Sequence, residues 1–81
     1  MARKVRDFII EYLEREYNLP NDIDLDSFNY VKTGYVDSIG IIKFIATIED
    51  EFKIEFSDEE FEDENNQIVG VLVRLVEKKI G

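Results

Sequence analysis

The residues best suited to chemistry lie in the heptapeptide from Gly34 to Gly40, where an Asp-Ser pair directly precedes an apolar run. Ser38 supplies a hydroxyl there, and Asp37 supplies a carboxylate. Ser and Asp are also common N-caps of helices, because their side-chain oxygens accept hydrogen bonds from N–H groups that the helix itself leaves unpaired. Taken alone, the pair favours a helix cap over a reactive site.

The amino acids that are missing narrow the chemistry further. The chain has no histidine and no cysteine, which excludes a Ser-His-Asp triad, a thiolate nucleophile, a disulfide and histidine-ligated zinc. An enzyme of 81 residues would have to rely on carboxylates, tyrosine or lysine, with little room for a deep pocket. We therefore expect no catalytic residues. The lack of cysteine is compatible with a cytoplasmic protein, which is the location we predict.

Three aspartates raise the alternative of a calcium sensor. Asp22, Asp24 and Asp26 occupy the first, third and fifth positions of a possible calcium loop. The sixth position holds Ser27 instead of the glycine that the turn needs, and the twelfth holds Thr33 instead of a bidentate glutamate. The sequence thus predicts a solvated acidic loop and no metal site, whereas a sensor would show calcium-dependent chemical shifts in this loop.

Acidic residues dominate the charge of this small chain. Nineteen Asp and Glu oppose ten Lys and Arg, for a formal charge of −9, which disfavours binding to nucleic acid and favours partners with basic patches. We expect neither a membrane span nor a secretory signal, because no apolar run has the required length. With 44% hydrophobic residues, we predict one globular domain over residues 1–81, present as a monomer.

The elements that must position Ser38 follow from the apolar periodicity. A spacing of i, i+3, i+4, i+7 predicts a first amphipathic helix, which Asn18 and Pro20 end. Its apolar stripe comprises Val5, Phe8, Ile9, Tyr12 and Leu13. From Asn18 to Val36 the periodicity stops, and we expect a long loop held down by its own apolar side chains, with Gly34 supplying a positive φ. Those side chains are Leu19, Ile23, Leu25, Phe28, Tyr30, Val31 and Val36.

Three more helices are predicted after the loop. The second runs from about Ser38 to Phe52, and its inward stripe is Ile41, Ile42, Ile45, Ile48 and Phe52, widened by Ile39, Phe44 and Ala46. Ser57 and Glu60 form a capping box that starts a short third helix. The last helix, capped by Asn65 or Asn66, carries Ile68, Val69, Val71, Leu72, Leu75 and Val76. The predicted fold is all-α, a four-helix bundle with a long first loop and a short third helix.

Around Ser38 the sequence resembles the acyl carrier protein family, whose signature is Asp-Ser-Leu at the start of the second helix with a glycine a few residues upstream. Gly34, Asp37, Ser38 and Ile39 fill those positions, with isoleucine in place of leucine. The likeness is strong from Gly34 to Glu60 and extends in outline over the whole chain. The sequence is therefore similar to phosphopantetheine-binding carrier proteins.

The resemblance implies that Ser38 receives a 4′-phosphopantetheine arm from coenzyme A through a phosphopantetheinyl transferase and its magnesium. Asp37 and Ile39 would belong to that cofactor site, with Asp37 either orienting the transferase–magnesium complex or capping the helix. Acyl or aminoacyl groups would be held as thioesters, loaded by an activating enzyme and presented to downstream synthases or transferases. A separate enzyme must activate Ser38, since no histidine base accompanies it.

Acidic residues are concentrated in 37–64, which has eleven acids against two lysines and a net charge of −9. A run of charges is usually a solvated face, but beside Ser38 we expect a surface for partner enzymes. The predicted docking residues are Ile41, Ile42, Glu49, Asp50, Glu59 and Glu60. Electrostatic docking of this kind speeds encounter and weakens with salt.

Two residues depart from the carriers of general fatty acid synthesis, which usually have acids two and five positions after the modified serine. Gly40 and Lys43 stand there, so the chain looks more like a stand-alone carrier of a specialised pathway, such as a D-alanyl, polyketide or peptide carrier. The alternative is an unmodified acidic helical interaction module in which Ser38 serves only as an N-cap.

Overall fold

In a computed structural model, residues 4–19 and 24–81 are described, and within them the chain forms four α-helices and no β-strand. The helices are α1 (Val5–Tyr17), α2 (Ser38–Phe52), α3 (Asp58–Glu62) and α4 (Val69–Ile80). Single 3₁₀ turns occur at Leu25–Ser27 and Glu64–Gln67. The predicted all-α bundle with its short third helix is confirmed. None of the described helices has the length and apolar character needed to cross a bilayer.

The first helix forms as the apolar spacing predicts. The five residues of its stripe are buried, namely Val5, Phe8, Ile9, Tyr12 and Leu13. The helix ends at Asn18, whose left-handed φ of 51° lets its N–H group bond to the carbonyl oxygen of Glu14. Asparagine enters this conformation more readily than most residues. Pro20, Asp22 and Ile23 lie outside the described residues.

Phe44 of α2 occupies the centre of the core. Its side chain is fully buried, and its ring stacks on Tyr12 of α1 with a centroid distance of 5.0 Å. Tyr30 of the loop meets the same ring edge-on at 5.3 Å. Aromatic pairs of these geometries contribute stability beyond the area they bury. One side chain of α2 thus joins the helix to both α1 and the loop.

The buried face of α2 differs from the predicted stripe. Phe44, Ile45 and Ile48 form it, with Ile41 and Phe52 half-buried. The prediction was wrong for Ile42, Ile39 and Ala46, which are exposed, Ile42 by 60% and Ile39 by 80%. Because apolar residues occur on almost every side of this helix, their spacing alone could not select the arc that faces α1.

The loop between α1 and α2 is held against the bundle by its own side chains, as predicted. Leu19, Phe28, Tyr30 and Val36 are buried, and Leu25 and Val31 are half-buried. Gly34 adopts a positive φ of 84°, a conformation that glycine enters without a steric penalty. The loop then returns inward, where the Val36 N–H donates to the carbonyl oxygen of Tyr30 at 2.9 Å.

Backbone hydrogen bonds join this loop to the start of α4. The Val69 N–H donates to the carbonyl oxygen of Phe28 at 3.0 Å, and the Tyr30 N–H donates to that of Gln67 at 3.2 Å. Neither Asn65 nor Asn66 caps α4, contrary to prediction, since the N-cap is Ile68 without a side-chain bond. The carbonyl oxygen of Phe28 instead pairs the N–H of the first helical residue, Val69, which the helix itself leaves unpaired.

Gly70→Ala is expected to destabilise the protein, because Gly70 touches the backbone of the loop. A Cβ atom at this position would lie 2.6 Å from the carbonyl oxygen of Asp26, which cannot rotate away as a side chain can. We expect the free energy of unfolding in urea to fall by about 1–3 kcal/mol, as for overpacked cores. An increase in stability, as alanine's helix propensity alone would give, would contradict this packing.

Candidate functional site

Ser38 is the first residue of α2 and is exposed. The N-cap is the preceding residue, Asp37, whose Oδ1 accepts the N–H of Gly40 at 2.7 Å. The hydroxyl of Ser38 makes no hydrogen bond to any described residue. The capping function that the sequence allowed for either residue therefore belongs to Asp37, and the Ser38 hydroxyl has no structural partner in the described chain.

The backbone around Ser38 favours an anionic group. The N–H groups in the first turn of an α-helix have no partner inside the helix, and the helix dipole places partial positive charge at this end. Asp37 satisfies the N–H of Gly40, which leaves the earlier N–H groups of the turn for other acceptors. A phosphate ester on the Ser38 hydroxyl would lie at the positive end of α2, so this residue fits the attachment of a phosphorylated group.

A groove of about 380 Å³ adjoins Ser38 and is bounded by α2, α3 and the loop. Four apolar side chains line it, namely Val31, Ile41, Ile42 and Phe61. Its polar lining residues are Asp37, Ser38, Glu62 and Gln67. The predicted site residues Asp37, Ser38, Ile41 and Ile42 are therefore brought together around one concave surface.

A second, much smaller cavity lies next to this groove and shares Ile41, Phe61 and Gln67 with it. This second cavity, which Tyr30, Ile45, Phe56 and Leu72 help to line, has a volume of only about 10 Å³. That volume is at most about the size needed for one water molecule. A group larger than a water molecule therefore fits in the surface groove beside Ser38 and does not fit in the second cavity.

Some residues of the site were not predicted, and one predicted residue lies apart from the groove. Ile39 is exposed by 80% and does not line it. Val31, Phe61 and Gln67 do line it, yet they come from three separate segments. Their contribution depends on how α3 and the loop fold back over α2, which local sequence patterns do not report.

Two of the four predicted docking acids are used inside the fold. An Oε atom of Glu49 accepts the N–H of Phe56 at 2.8 Å. Glu60 completes the predicted capping box with Ser57, which is confirmed, and its Oε1 lies 2.7 Å from Nζ of Lys79. The hydrogen bonds from Lys79 and from the Ser57 N–H hold the pKa of Glu60 below its usual range.

The other two predicted docking acids remain available. Asp50 and Glu59 are exposed, and neither carboxylate bonds to any residue in the described part of the chain. They lie on α2 and α3, the two helices that border the groove. An electrostatic contribution to docking is therefore best sought at Asp50 and Glu59.

The acidic loop is engaged in local structure where it is described. Asp24 accepts the N–H of Asp26 at 3.2 Å, and the Asp26 carboxylate pairs with Arg6 of α1. Across residues 4–19 and 24–81, no group of three or more ligating side chains could hold a metal ion. Asp22, which the calcium alternative also needs, lies outside these ranges.

Comparison with known proteins identifies one family. Residues 7–76 match a family model described as phosphopantetheine attachment site. The match begins in the first turn of α1 and ends within α4, so it contains the groove and Ser38. No curated protein and no solved structure gives a significant match to the chain.

Proposed function

The chain belongs to the phosphopantetheine attachment site family, whose members carry 4′-phosphopantetheine covalently, and from this premise we propose that Ser38 is the residue that bears the arm. One observation carries the assignment. The Ser38 hydroxyl is exposed at the first position of α2 and has no hydrogen bond in the described chain, while Asp37 alone caps the helix. The attachment leaves every described contact of the fold in place.

The chain supplies the acceptor oxygen and leaves activation to the transferase. Attachment forms a bond from the Ser38 oxygen to the phosphorus of the arm, breaks the P–O bond of the coenzyme A diphosphate at that phosphorus, and releases adenosine 3′,5′-bisphosphate. We expect the serine proton to pass to a base on the transferase, because the chain has no histidine and Oδ1 of the adjacent Asp37 already accepts the Gly40 N–H. The attached arm supplies a thiol for thioester formation, which no residue of this cysteine-free chain provides.

The size of the cavities supports a small cargo. We propose that the protein holds short acyl or aminoacyl groups as thioesters for a specialised pathway. The cavity of about 10 Å³ next to the groove has no space for a long fatty acyl chain, whereas the apolar groove of about 380 Å³ beside Ser38 accommodates a compact group. Tethering raises the local concentration of such a group at each docked enzyme.

The proposed partners are a phosphopantetheinyl transferase, an acyl- or aminoacyl-activating enzyme and downstream synthases or transferases. Ile41 and Ile42 offer them an apolar contact beside Ser38, and Asp50 and Glu59 offer exposed charge. The rival function, an unmodified acidic interaction module, depended on Ser38 acting as the N-cap. That capping role belongs to Asp37, so no observation favours the rival.

The assignment is tested by intact mass spectrometry. The purified protein, first checked to be unmodified, is incubated with coenzyme A, magnesium and a broad-specificity phosphopantetheinyl transferase. We expect a mass gain of one phosphopantetheine, located at Ser38 by peptide sequencing. A folded chain that gains no mass with two transferases, each active on another carrier, would overturn the proposal.

Charge reversal at Asp50 and Glu59 is expected to slow reactions with partner enzymes. At low ionic strength we expect the rate constant for modification of the Asp50→Lys, Glu59→Lys double variant to be about ten-fold lower than that of wild type, since steering by surface charge has at least this size. The difference should shrink as salt screens the charges. Modification rates of both proteins are measured by mass spectrometry at a series of salt concentrations from low to high.

The control is a charge reversal away from this surface. Glu77 is exposed on α4, outside residues 37–64, so Glu77→Lys changes the net charge without changing the proposed surface. Glu49 is unsuitable because it bonds to the Phe56 N–H, and its loss would disturb the fold. Equal rates for wild type and the double variant at low salt would remove Asp50 and Glu59 from docking.

A further inference from the structure

We propose that Tyr17 and Gly40 form a positioning pair for Ser38, an inference that rests on the attachment of the arm to this serine. Tyr17 is the last residue of α1, and Gly40 lies in the first turn of α2. A Cβ atom on Gly40 would lie 2.7 Å from the hydroxyl oxygen of Tyr17. The tyrosine hydroxyl therefore occupies the space that a side chain at position 40 would need.

Gly40 is constrained on more than one side. Its N–H is held by Oδ1 of Asp37 at 2.7 Å. Its Cβ position would also lie 3.3 Å from Cγ1 of Val36, which is buried. The Tyr17 hydroxyl at the end of α1 packs against Gly40 from another direction. The first turn of α2 is thus located by a helix cap and by direct packing against the end of the preceding helix.

Ser38 depends on these contacts because no hydrogen bond to a described residue fixes the direction of its hydroxyl. It lies in sequence between Asp37 and Gly40. Its orientation toward a docked transferase is therefore set by its two anchored neighbours. Misplacing a reacting atom by about 1 Å can lower a rate by about 10²-fold, so a small shift of this turn is expected to matter.

The Tyr17 hydroxyl can pack here without adding charge. Burial, together with the nearby Tyr12, Asp37 and Glu16, raises the pKa of Tyr17 above its usual value. The group therefore stays neutral near neutral pH. A neutral oxygen over Gly40 does not oppose an anionic phosphate ester at the positive end of α2, which an additional carboxylate at position 40 would do.

The test is a cycle of four proteins, namely wild type, Tyr17→Phe, Gly40→Ala and the double variant. Rates of phosphopantetheine attachment are measured as kcat/KM with coenzyme A, magnesium and one transferase. We expect Gly40→Ala to lower kcat/KM about ten-fold, because the new methyl group would crowd both the Tyr17 hydroxyl and, at 3.0 Å, Oδ1 of Asp37, which caps the turn that carries Ser38. Tyr17→Phe alone is expected to lower it by no more than about three-fold, since the ring and most of its packing remain.

Rescue in the double variant distinguishes positioning from general damage. Removing the Tyr17 oxygen takes away the nearest of three crowding atoms, while Oδ1 of Asp37 at 3.0 Å and Cγ1 of Val36 at 3.3 Å remain. The double variant should therefore be modified several-fold faster than Gly40→Ala alone without reaching the wild-type rate. The amide chemical shifts of residues 37–41 should return toward those of wild type in the double variant. The inference would be overturned if the reductions of kcat/KM in the two single variants simply multiplied in the double variant. It would also be overturned if the Gly40→Ala protein were modified at the wild-type rate.

Gly70→Ala serves as the control for loss of stability. It introduces a clash at a similar distance, 2.6 Å, with the backbone carbonyl oxygen of Asp26 instead of a side chain, and it lies on α4, outside the groove. Below its unfolding temperature this variant should be modified at the wild-type rate. Failure of the proposed function would appear as no mass gain in wild type. Failure of the positioning pair alone would appear as normal wild-type modification without rescue in the double variant.

Discussion

Ser38→Ala is expected to abolish attachment of phosphopantetheine while leaving the free energy of unfolding within about 0.5 kcal/mol of wild type. The substitution removes the proposed acceptor oxygen. It removes no hydrogen bond, because the Ser38 hydroxyl has no partner in the described chain and the cap of α2 is Asp37. Alanine is also well tolerated in a helix. Intact mass and urea unfolding measure the two effects separately.

Substitution of a true N-cap provides the matched control. Ser57 caps α3 and accepts the N–H of Glu60 at 3.1 Å, so Ser57→Ala should lower the free energy of unfolding by about 0.5–2 kcal/mol. That variant should still gain one phosphopantetheine. If Ser38→Ala were modified as wild type is, the attachment site would lie elsewhere. If Ser38→Ala unfolded the protein, the role of this serine would be structural.

Phe44→Ala is expected to lower the free energy of unfolding by about 3–5 kcal/mol. The ring is fully buried and contacts both Tyr12 and Tyr30, so its loss leaves a void and removes two aromatic pairs. Small domains are stable by only about 5–15 kcal/mol in total. The variant should therefore lose a large part of its stability, which urea unfolding followed by circular dichroism will measure.

Ile42→Ala, two residues earlier on the same helix, is the comparison for Phe44→Ala. Because Ile42 is 60% exposed, its truncation should change the free energy of unfolding by less than about 1 kcal/mol. If Ile42→Ala lowered the free energy of unfolding as much as Phe44→Ala, Ile42 would face the core, as its apolar spacing suggested. That result would contradict the orientation of α2.

Local signals in the sequence predicted much of the fold. The five-residue stripe of α1, the end of this helix at Asn18, the positive φ of Gly34 and the capping box of Ser57 with Glu60 were all predicted and are all present. Each depends on residues within about two helical turns of one another, so the spacing of side chains or a single backbone preference is sufficient to predict it.

Predictions that depend on contacts between distant segments were less successful. The buried arc of α2 is chosen by Tyr12 and Tyr30, which lie on other elements and contact Phe44. Apolar isoleucines on several sides of the helix gave no indication of that choice. The cap of α4 was sought in Asn65 and Asn66, but a carbonyl of the loop takes the N–H of Val69 instead.

The candidate site shows the same division between local and distant contacts. Ser38 and Asp37 could be singled out because the motif and the start of the helix are adjacent in sequence. The groove could not be predicted, because Val31 precedes Ser38 in the loop and Phe61 follows it in α3. Only the folded chain brings these two side chains to the same surface. Tyr17 was also missed, because only the packing of α1 against α2 brings its hydroxyl to Gly40.

The hydrogen bond from Val69 to Phe28 has a consequence for how the protein opens. Because α4 has no capping side chain of its own, the N–H of its first residue, Val69, is paired only while the loop carbonyl is in place. Any fluctuation that lifts the loop leaves the Val69 N–H unpaired, so we expect the loop and the start of α4 to exchange their amide hydrogens with solvent together. The loop thus contributes to the cooperativity of unfolding, and the first residue of α4 gains its hydrogen-bond acceptor only after the chain has closed the contact between Phe28 and Val69.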